Sequence, residues 1–288
     1  MPRPTNIFHA GRGENLRTRI NLYYYFESIA DERRIRGLFL AKSASASEWK
    51  AVSSAIKTLV EEATFDATNE GLTFRAMDPS HVALVDLLWP SVAFESYQCE
   101  KPFKFSVRVE DFIKLVGRSD AKDSVEISST EEDAISVKFT NGYKREFVIH
   151  LIETSAGSAP LPKLEFDTKA ILTKTIFERV LNDISAVSDQ VTLAAEKGTL
   201  AFSGKSDMGK AAVALDKTGA ELLDLEVKAE SKATYNVDYL TSIVRAAGQA
   251  ADTLTCEFSS KKPVYLEFRL NKQGCRLGFF LAPRVSSD

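Results

Sequence analysis

The chain has 288 residues, of which 44% are hydrophobic and 27% are charged, and its formal net charge is −3. This composition can fill a buried core and excludes a chain that is disordered throughout. No apolar run approaches the ~18 residues that a membrane-spanning helix requires. Three widely spaced cysteines without CxxC spacing favour buried thiols in a reducing compartment over a disulfide framework. The net negative charge argues against a uniformly basic surface. Any contact with nucleic acid therefore depends on where the lysine and arginine side chains lie.

Residues 1–37 hold seven arginines, no lysine and four acidic residues. They contain no apolar stretch of the ~7–15 residues that a secretory signal needs. Two interpretations of this extension remain open. Either the true start lies near Leu38 and the extension is a mis-assigned start, or it is a genuine tail that is expected to be disordered.

The first predicted helix lies within Ser47–Glu62, and a similar one is predicted at Thr175–Val187. Both carry an apolar stripe at helical spacing. The first stripe consists of Trp49, Val52, Ile56 and Leu59, and adding 128 to each number gives the second, Phe177, Val180, Ile184 and Val187.

The elements that follow each helix repeat at nearly the same offset. A predicted hairpin turns at Asn69-Glu70-Gly71 and again at Glu196-Lys197-Gly198, and a short helix begins at Val109 and again at Val237. Alternating strands come next in both halves. An offset that holds across several elements predicts two copies of one domain, residues 38–152 and 164–288, joined by a linker over residues 153–163 that is rich in small residues and proline. Short helices among more numerous strands indicate an α+β fold, with antiparallel sheets covered by helices on one face.

Two motifs add a resemblance to a known family. The segment Met77-Asp78-Pro79-Ser80-His81-Val82 resembles a loop of the DNA sliding clamps of the proliferating cell nuclear antigen family, of archaeal and eukaryotic type. The segment Phe279-Phe280-Leu281-Ala282-Pro283-Arg284 is similar to the closing strand and tail of that family. The resemblance covers the chain from Leu38 to its end.

The resemblance implies a DNA-clamp fold in two duplicated domains, assembled as a ring of three subunits around duplex DNA. The expected function is that of a processivity factor for DNA polymerase and a docking platform for replication and repair enzymes, without catalysis. Edge strands near Arg145–Glu153 and Gly209–Asp216 would join neighbours. Their apolar residues alternate, with Phe147, Ile149 and Leu151 on the first and Ala212, Ala214 and, less regularly, Leu215 on the second. A genuine N-terminal tail would touch DNA or the rim of the ring. The expected location is the cytoplasm and nucleoid in an archaeon or the nucleus in a eukaryote, with no membrane partner.

Two sets of residues follow from the expected ring. Basic residues on the polar faces of the predicted helices would face DNA and contact its phosphates without recognising the base sequence. They are Lys50, Lys57, Lys114, Arg118, Arg179 and Arg245. An apolar groove would bind aromatic-ended peptides of a polymerase, a flap nuclease, a ligase and a clamp loader. By resemblance its residues are Met77, His81, Val82, Leu84, Leu161, Pro162, Phe280, Ala282 and Pro283.

Other functions have weaker signals. Gly204-Lys205-Ser206 resembles part of a phosphate-binding loop, but Gly198 lies one residue too far upstream for GxxxxGK[ST]. No metal-ligand spacing occurs around His9, His81 or His150, so neither a metal nor a cofactor is expected. A nucleotide-dependent enzyme stays as the rival from another class. A closer rival is one subunit of a heterotrimeric or checkpoint-type clamp.

Overall fold

The computed structural model describes residues 39–120, 122–129, 133–154 and 159–284, so the predictions for residues 1–37 lie outside the described residues. The described residues belong to one compact unit, Leu38–Asp288. In the first half the strands are β1 (Phe39–Ser43), β2 (Glu62–Thr68), β3 (Gly71–Met77), β4 (Ala83–Pro90), β5 (Ser96–Gln98), β6 (Phe103–Arg108), β7 (Ser124–Ser129), β8 (Ala134–Asn141) and β9 (Tyr143–His150). In the second half they are β10 (Thr168–Thr173), β11 (Gln190–Glu196), β12 (Thr199–Ser206), β13 (Gly209–Asp216), β14 (Leu222–Val227), β15 (Ser231–Asn236), β16 (Thr253–Phe258), β17 (Val264–Arg269) and β18 (Arg276–Leu281). The helices are α1 (Ser47–Lys57), α2 (Val109–Val116), α3 (Lys174–Ser185) and α4 (Val237–Ala247), with a 3₁₀ turn at Ser91–Ala93.

The strands form three antiparallel sheets. A five-stranded sheet has the order β5-β1-β7-β8-β9, and a four-stranded sheet has the order β13-β12-β11-β15. The third sheet has nine strands in the order β14-β10-β16-β17-β18-β4-β3-β2-β6 and contains strands of both halves. The halves meet where β18 pairs with β4. The predicted α+β class with antiparallel sheets is confirmed.

The helices form one continuous layer. α2 packs on α1, α1 on α4, and α4 on α3, so helices of the two halves meet in the middle of the row. Two of them begin at side-chain caps: Thr173 Oγ1 accepts from the Ile176 amide, and Asn236 Oδ1 accepts from the Tyr239 amide. Within the described residues no helix combines the length and apolar character needed to cross a bilayer.

The apolar stripes of the predicted helices pack into the core. Trp49, Val52 and Ile56 are buried under α1, and Phe177, Val180 and Ile184 are buried under α3. In the first half Trp49 lies against Trp89, with ring centroids 4.5 Å apart. Both helices end earlier than predicted, α1 at Lys57 and α3 at Ser185, because the residues that follow tighten into turns.

The three cysteines are free thiols buried in this core, as their spacing predicted; they are Cys99, Cys256 and Cys275. Burial raises the pKa of each thiol, so all three stay protonated and unreactive at neutral pH.

The two predicted edge strands are edge strands in the structure. β9 ends the five-stranded sheet and β13 ends the four-stranded one. In β13 the predicted alternation was right for Leu215 and wrong for the two alanines. Ala211, Val213 and Leu215 pack against the core, whereas Ala212 and Ala214 are exposed. Alanines carry little hydrophobic signal, so the larger Val213 and Leu215 decide which face is buried.

Candidate functional site: an outer groove and a helix-lined face

The loop between β3 and β4 is organised by one carboxylate. Asp78 Oδ1 accepts from the amides of Val82 (2.8 Å) and Ala83 (2.7 Å), and Oδ2 accepts from the amide of Ser80 (3.1 Å). The loop also holds His81 at φ +57, a left-handed conformation, and the His81 amide donates to the Asp78 carbonyl at 2.9 Å. An aspartate therefore suits this position because it satisfies three loop amides at once.

A fourth donor to Asp78 comes from the other half of the chain. The Tyr239 hydroxyl, near the start of α4, donates to Asp78 Oδ2 at 3.0 Å. Burial works to raise the pKa of Asp78, which is only 3% exposed, but the four hydrogen bonds outweigh it and hold that pKa below its ordinary value. Burial and the bond to Asp78 both raise the pKa of Tyr239. The bond joins the loop to the helix layer.

The C-terminal segment after β18 runs beside this loop. The Ala282 amide donates to the Val82 carbonyl at 2.8 Å, and the Arg284 amide donates to the Thr234 carbonyl of β15 at 2.7 Å. Three of the predicted groove residues, Val82, Ala282 and Pro283, are therefore close in space although the sequence separates them by about 200 positions.

The sheet register brings further predicted groove residues into one row. On the face of the nine-stranded sheet away from the helices, Met77 lies opposite Leu84, and Leu84 lies opposite Phe280. Met77 is 36% exposed and Val82 is 37% exposed, whereas Leu84 is buried. Leu84 can therefore form only the floor of a groove, beneath Met77 and Phe280.

The same row continues to Tyr265 of β17, a residue that the sequence motifs did not predict. Tyr265 lies opposite Phe280, and their ring centroids are 4.6 Å apart. Gly278 makes room for this ring, because a Cβ there would lie 2.8 Å from both Cε2 and the hydroxyl oxygen of Tyr265. One signal could have found it: Tyr265 is an aromatic on the otherwise polar side of a strand whose other face is Val264, Leu266 and Phe268.

The linker crosses this outer face. It starts at the β6 edge, where the Ile152 amide donates to the Ser106 carbonyl at 3.0 Å. The Arg75 guanidinium then donates to the Ala159 carbonyl at 3.5 Å, and Phe166 stacks near Tyr265 with centroids 6.5 Å apart. Leu161 and Pro162 lie in the stretch between these contacts, and Leu161 is 43% exposed. An apolar side chain exposed on a strand-crossing linker is a candidate contact for a partner.

The six basic residues that are predicted to face DNA differ in whether their side chains already form hydrogen bonds or ion pairs within the chain. Lys50 donates to the Ser119 carbonyl at 2.7 Å, and Lys114 forms ion pairs at 3.4 and 3.6 Å with two acids of its own helix. Arg245 of α4 pairs with Glu178 of α3 at 3.4 Å and so joins the two helices. The other three are exposed, and their side chains have no ion pair or hydrogen bond within the described residues; they are Lys57, Arg118 and Arg179. Arg118 lies in the turn after α2 and not on the helix as predicted, because the helix ends at Val116.

The helix layer as a whole carries little net charge. Its helices contain six basic and six acidic side chains. A surface of this kind gives weak, salt-sensitive contacts to phosphates and no strong field. Among the described residues, no group of three His, Cys, Asp or Glu side chains could hold a metal ion.

A duplicated fold with a single helix layer, sheets behind it and a row of apolar residues on the outer face, from Met77 to Tyr265, defines the class of ring-forming clamp proteins. Two family models match, proliferating cell nuclear antigen N-terminal domain over residues 38–154 and its C-terminal domain over residues 160–284. The chain belongs to the proliferating cell nuclear antigen family.

Individual relatives agree with this assignment. The chain is 48% identical over 249 residues to the DNA polymerase sliding clamp of Cenarchaeum symbiosum, covering 86% of this chain and 99% of the relative. It is 46% identical, with the same coverage, to the DNA polymerase sliding clamp of Nitrosopumilus maritimus. Among solved structures, proliferating cell nuclear antigen from Thermococcus kodakaraensis superposes with a TM-score of 0.81 at 26% identity, over 85% of this chain and all of that one.

Proposed function

We propose that this chain is a subunit of a DNA polymerase sliding clamp, a non-enzymatic ring that encircles duplex DNA and keeps a polymerase on its template. The observation that carries the proposal is the continuous layer of four helices contributed by both halves, in a chain whose relatives at 46–48% identity are named DNA polymerase sliding clamps. A rolling-circle assay with a family B polymerase tests it. Product length should increase when the purified chain and a clamp loader are added, and unchanged length would contradict the proposal.

The DNA-facing role is assigned to the helix layer. Its basic residues are Lys50, Lys57, Lys114, Arg118, Arg179 and Arg245. A variant that reverses the three unengaged charges, Lys57→Glu, Arg118→Glu and Arg179→Glu, should shorten products several-fold, with the larger effect at lower salt, where these charges are least screened. The matched control reverses three exposed loop lysines outside the helices, Lys101, Lys197 and Lys272, and therefore changes net charge equally. Equal effects of the two variants would place DNA elsewhere.

The partner-binding role is assigned to the groove on the outer face, formed by Met77, His81, Val82, Leu84, Leu161, Pro162, Phe280, Ala282 and Pro283, to which Tyr265 is added. Its occupant would be a short peptide that ends in two aromatic residues, of the kind that polymerases, flap nucleases, ligases and clamp loaders would present. Exposed Met77 and Val82 beside Phe280 give an adaptable apolar wall for aromatic side chains.

Titration calorimetry tests the groove with such a peptide. Leu161→Ala and Phe280→Ala should each weaken binding by about tenfold, since each removes an apolar contact of roughly 1–2 kcal/mol. Leu223→Ala is the matched control, because Leu223 is 51% exposed on β14, away from the groove row. Equal affinities for all three variants would contradict the assignment.

The assembly is proposed to be a trimer that acts on chromosomal DNA, in the cytoplasm and nucleoid if the host is archaeal like the relatives named above. The division into residues 38–152, 153–163 and 164–288 is kept as the proposed domain organisation. No feature of the described residues favours the heterotrimeric or checkpoint-type alternative.

A further inference from the structure

A cleft of about 950 Å³ opens at one end of the nine-stranded sheet. It lies where the β17–β18 hairpin, the end of β4 and the segment before β16 come together. Cavities of this size hold small ligands or a few residues of a peptide. The apolar part of its lining consists of Leu88, Pro90, Ala250, Ala251 and Leu270.

Two arginines that line this cleft stand directly opposite each other. Arg269 of β17 pairs in register with Arg276 of β18. Each side chain alternates with a buried neighbour, Phe268 or Leu277, so both arginines project from the sheet face away from the helices. Their side chains are 79% and 43% exposed. Like charges directly opposite each other destabilise an antiparallel strand pair, so this pair needs a neighbouring anion.

The chain supplies one carboxylate to the two arginines. Glu267 Oε1 lies 3.0 Å from Arg269 Nε, and Glu267 Oε2 lies 3.5 Å from Arg276 Nη1. The Tyr265 hydroxyl donates to the same Oε2 at 3.1 Å, so both oxygens of this mostly buried carboxylate are already shared. One negative charge therefore balances only one of the two arginines.

The other charged residues near the cleft leave this excess in place. Asp86 lies in the same cross-strand row as Glu267, but it is already paired with Arg75 at 2.7 Å. The lining adds one acid and one base, Asp252 and Lys272, and both are exposed. The cleft thus has three basic and two acidic side chains, in a chain whose net charge is −3.

The two guanidinium groups also retain hydrogen-bond donors. An arginine has five N–H donors, and within the described part of the chain Arg269 donates one hydrogen bond, from Nε to Glu267. Arg276 Nε is buried and has no hydrogen-bond partner among the described residues. The chain itself therefore does not satisfy this pair. Guanidinium groups match the geometry of carboxylate oxygens, so an acidic partner would supply the missing acceptors.

The hairpin that carries the arginines is held in one shape by a side chain. Asn271 Oδ1 accepts from the amides of Gln273 (3.1 Å) and Cys275 (2.9 Å). Asn271 Nδ2 donates to Glu48 of α1 at 2.8 Å, which ties the hairpin to the helix layer. A cleft whose walls are fixed before binding loses less conformational entropy when a ligand enters it.

We propose that this cleft binds an acidic peptide segment of a partner protein. Carboxylates of the segment contact Arg269 and Arg276, and one apolar side chain packs against Leu88. A peptide is favoured over nucleic acid because the arginines project from the sheet face opposite to the helix layer, to which the DNA contact is assigned. Arg269 lies four residues along β17 from Tyr265, or ~13 Å in an extended strand, so the cleft is separate from the apolar groove.

Fluorescence anisotropy tests the cleft with the full-length chain and a labelled synthetic peptide in which one leucine is flanked by glutamates. Arg269→Gln should weaken binding about fivefold, because it removes a charge-assisted contact and leaves only a neutral donor. Lys104→Gln is the matched control. Lys104 is exposed, pairs with Asp66 at 2.6 Å, and lies in the same cross-strand row five strands away, ~24 Å from Arg269. Equal affinities for the two variants would overturn the proposal.

Further measurements separate the acidic peptide from other occupants. Arg276→Gln should also weaken binding, and Arg269→Lys should bind more tightly than Arg269→Gln because it keeps the charge. A peptide with glutamines in place of its glutamates should lose binding, and unchanged affinity would contradict the role of the carboxylates. Because Arg269 is mostly exposed, Arg269→Gln should fold normally even if Arg276→Gln does not.

Two competition experiments complete the test and do not depend on the proposed clamp function. A saturating aromatic-ended peptide should leave binding of the acidic peptide unchanged, and displacement would place the acidic peptide in the apolar groove. Affinity for duplex DNA should be the same in Arg269→Gln and Lys104→Gln. A loss of DNA affinity confined to Arg269→Gln would assign the arginine pair to nucleic acid and overturn the proposal.

Discussion

Removal of one hydroxyl group, in the variant Tyr239→Phe, tests the bond that joins the β3–β4 loop to helix α4. Hydrogen bonds to charged groups contribute about 1.5–3 kcal/mol to stability. Asp78 would keep its three amide donors, so its charge would not be left without partners, and the expected loss is at the lower end, about 1.5 kcal/mol. For a chain of this size that corresponds to a fall in Tm of about 3–6 °C.

The stability loss caused by Tyr239→Phe should depend on pH, because both Asp78 and Tyr239 have shifted pKa values in the folded state. The pKa of Asp78 lies below its ordinary value in the folded state, so the ionised carboxylate stabilises the fold above about pH 4, and this contribution is lost as the pH falls through the folded pKa. The pKa of Tyr239 is raised, so its contribution is present below about pH 10 and is lost as the pH rises further. The difference in unfolding free energy between wild type and Tyr239→Phe should therefore be largest between about pH 4 and pH 10.

The assay is denaturant unfolding followed by circular dichroism at equal protein concentrations, from neutral pH down to about pH 2.5. Tyr235→Phe is the matched control, because the buried Tyr235 hydroxyl donates to a neutral acceptor, the Lys262 carbonyl, at 2.9 Å. Its cost should stay constant across the acid range. A Tyr239→Phe cost that is equally constant, or indistinguishable from zero at pH 7, would refute the charge-assisted bond.

Two further substitutions probe the groove and the β9 edge. Gly278→Ala should displace the Tyr265 ring, because the added Cβ would approach the ring to 2.8 Å. Binding of the aromatic-ended peptide should then weaken several-fold in calorimetry. An unchanged affinity would show that Tyr265 does not belong to the groove. Arg145→Ala should lower unfolding free energy by about 3 kcal/mol, since it leaves the carboxylate of Asp123, 1% exposed, without its ion-pair partner. The exposed neighbour Lys144 should tolerate alanine within about 0.5 kcal/mol, and equal costs at both positions in urea unfolding would contradict a structural role for the Arg145 pair.

Local patterns in the sequence predicted most of the elements. The helix stripe at Trp49, Val52 and Ile56 is buried as expected, because an amphipathic period can be read within a dozen residues. The turn at Asn69–Gly71 separates β2 from β3 as predicted. In β13 the alternation was assigned to Ala212 and Ala214 instead of Ala211 and Val213, because small alanines carry too little hydrophobic contrast to identify the buried side.

The groove could be predicted only in part. Its loop and tail came from short motifs, and the structure places Val82 beside Ala282. Tyr265 was missed because its role depends on the register of β17 against β18 and on Gly278 across the strand. Tyr239 was missed because its partner, Asp78, lies 161 positions away. The ion pair of Arg245 could not be predicted for the same reason, because its partner Glu178 lies on another helix. The sequence of α4 alone shows only an unpaired arginine, and the packing of α4 on α3 places Glu178 beside it.

The sequence by itself determined the duplication, the amphipathic helices, the turns and the family, because these depend on residue types at fixed spacings along the chain. Only the tertiary structure decided which of the predicted basic residues remain without a partner side chain, which strand faces are buried, and which apolar residues form the row on the outer face. It also showed that β18 pairs with β4 and so joins the two halves, whereas β9 and β13 each lie at the end of a sheet. Contacts of this kind join residues far apart in the chain, and local periodicity carries no information about such distances.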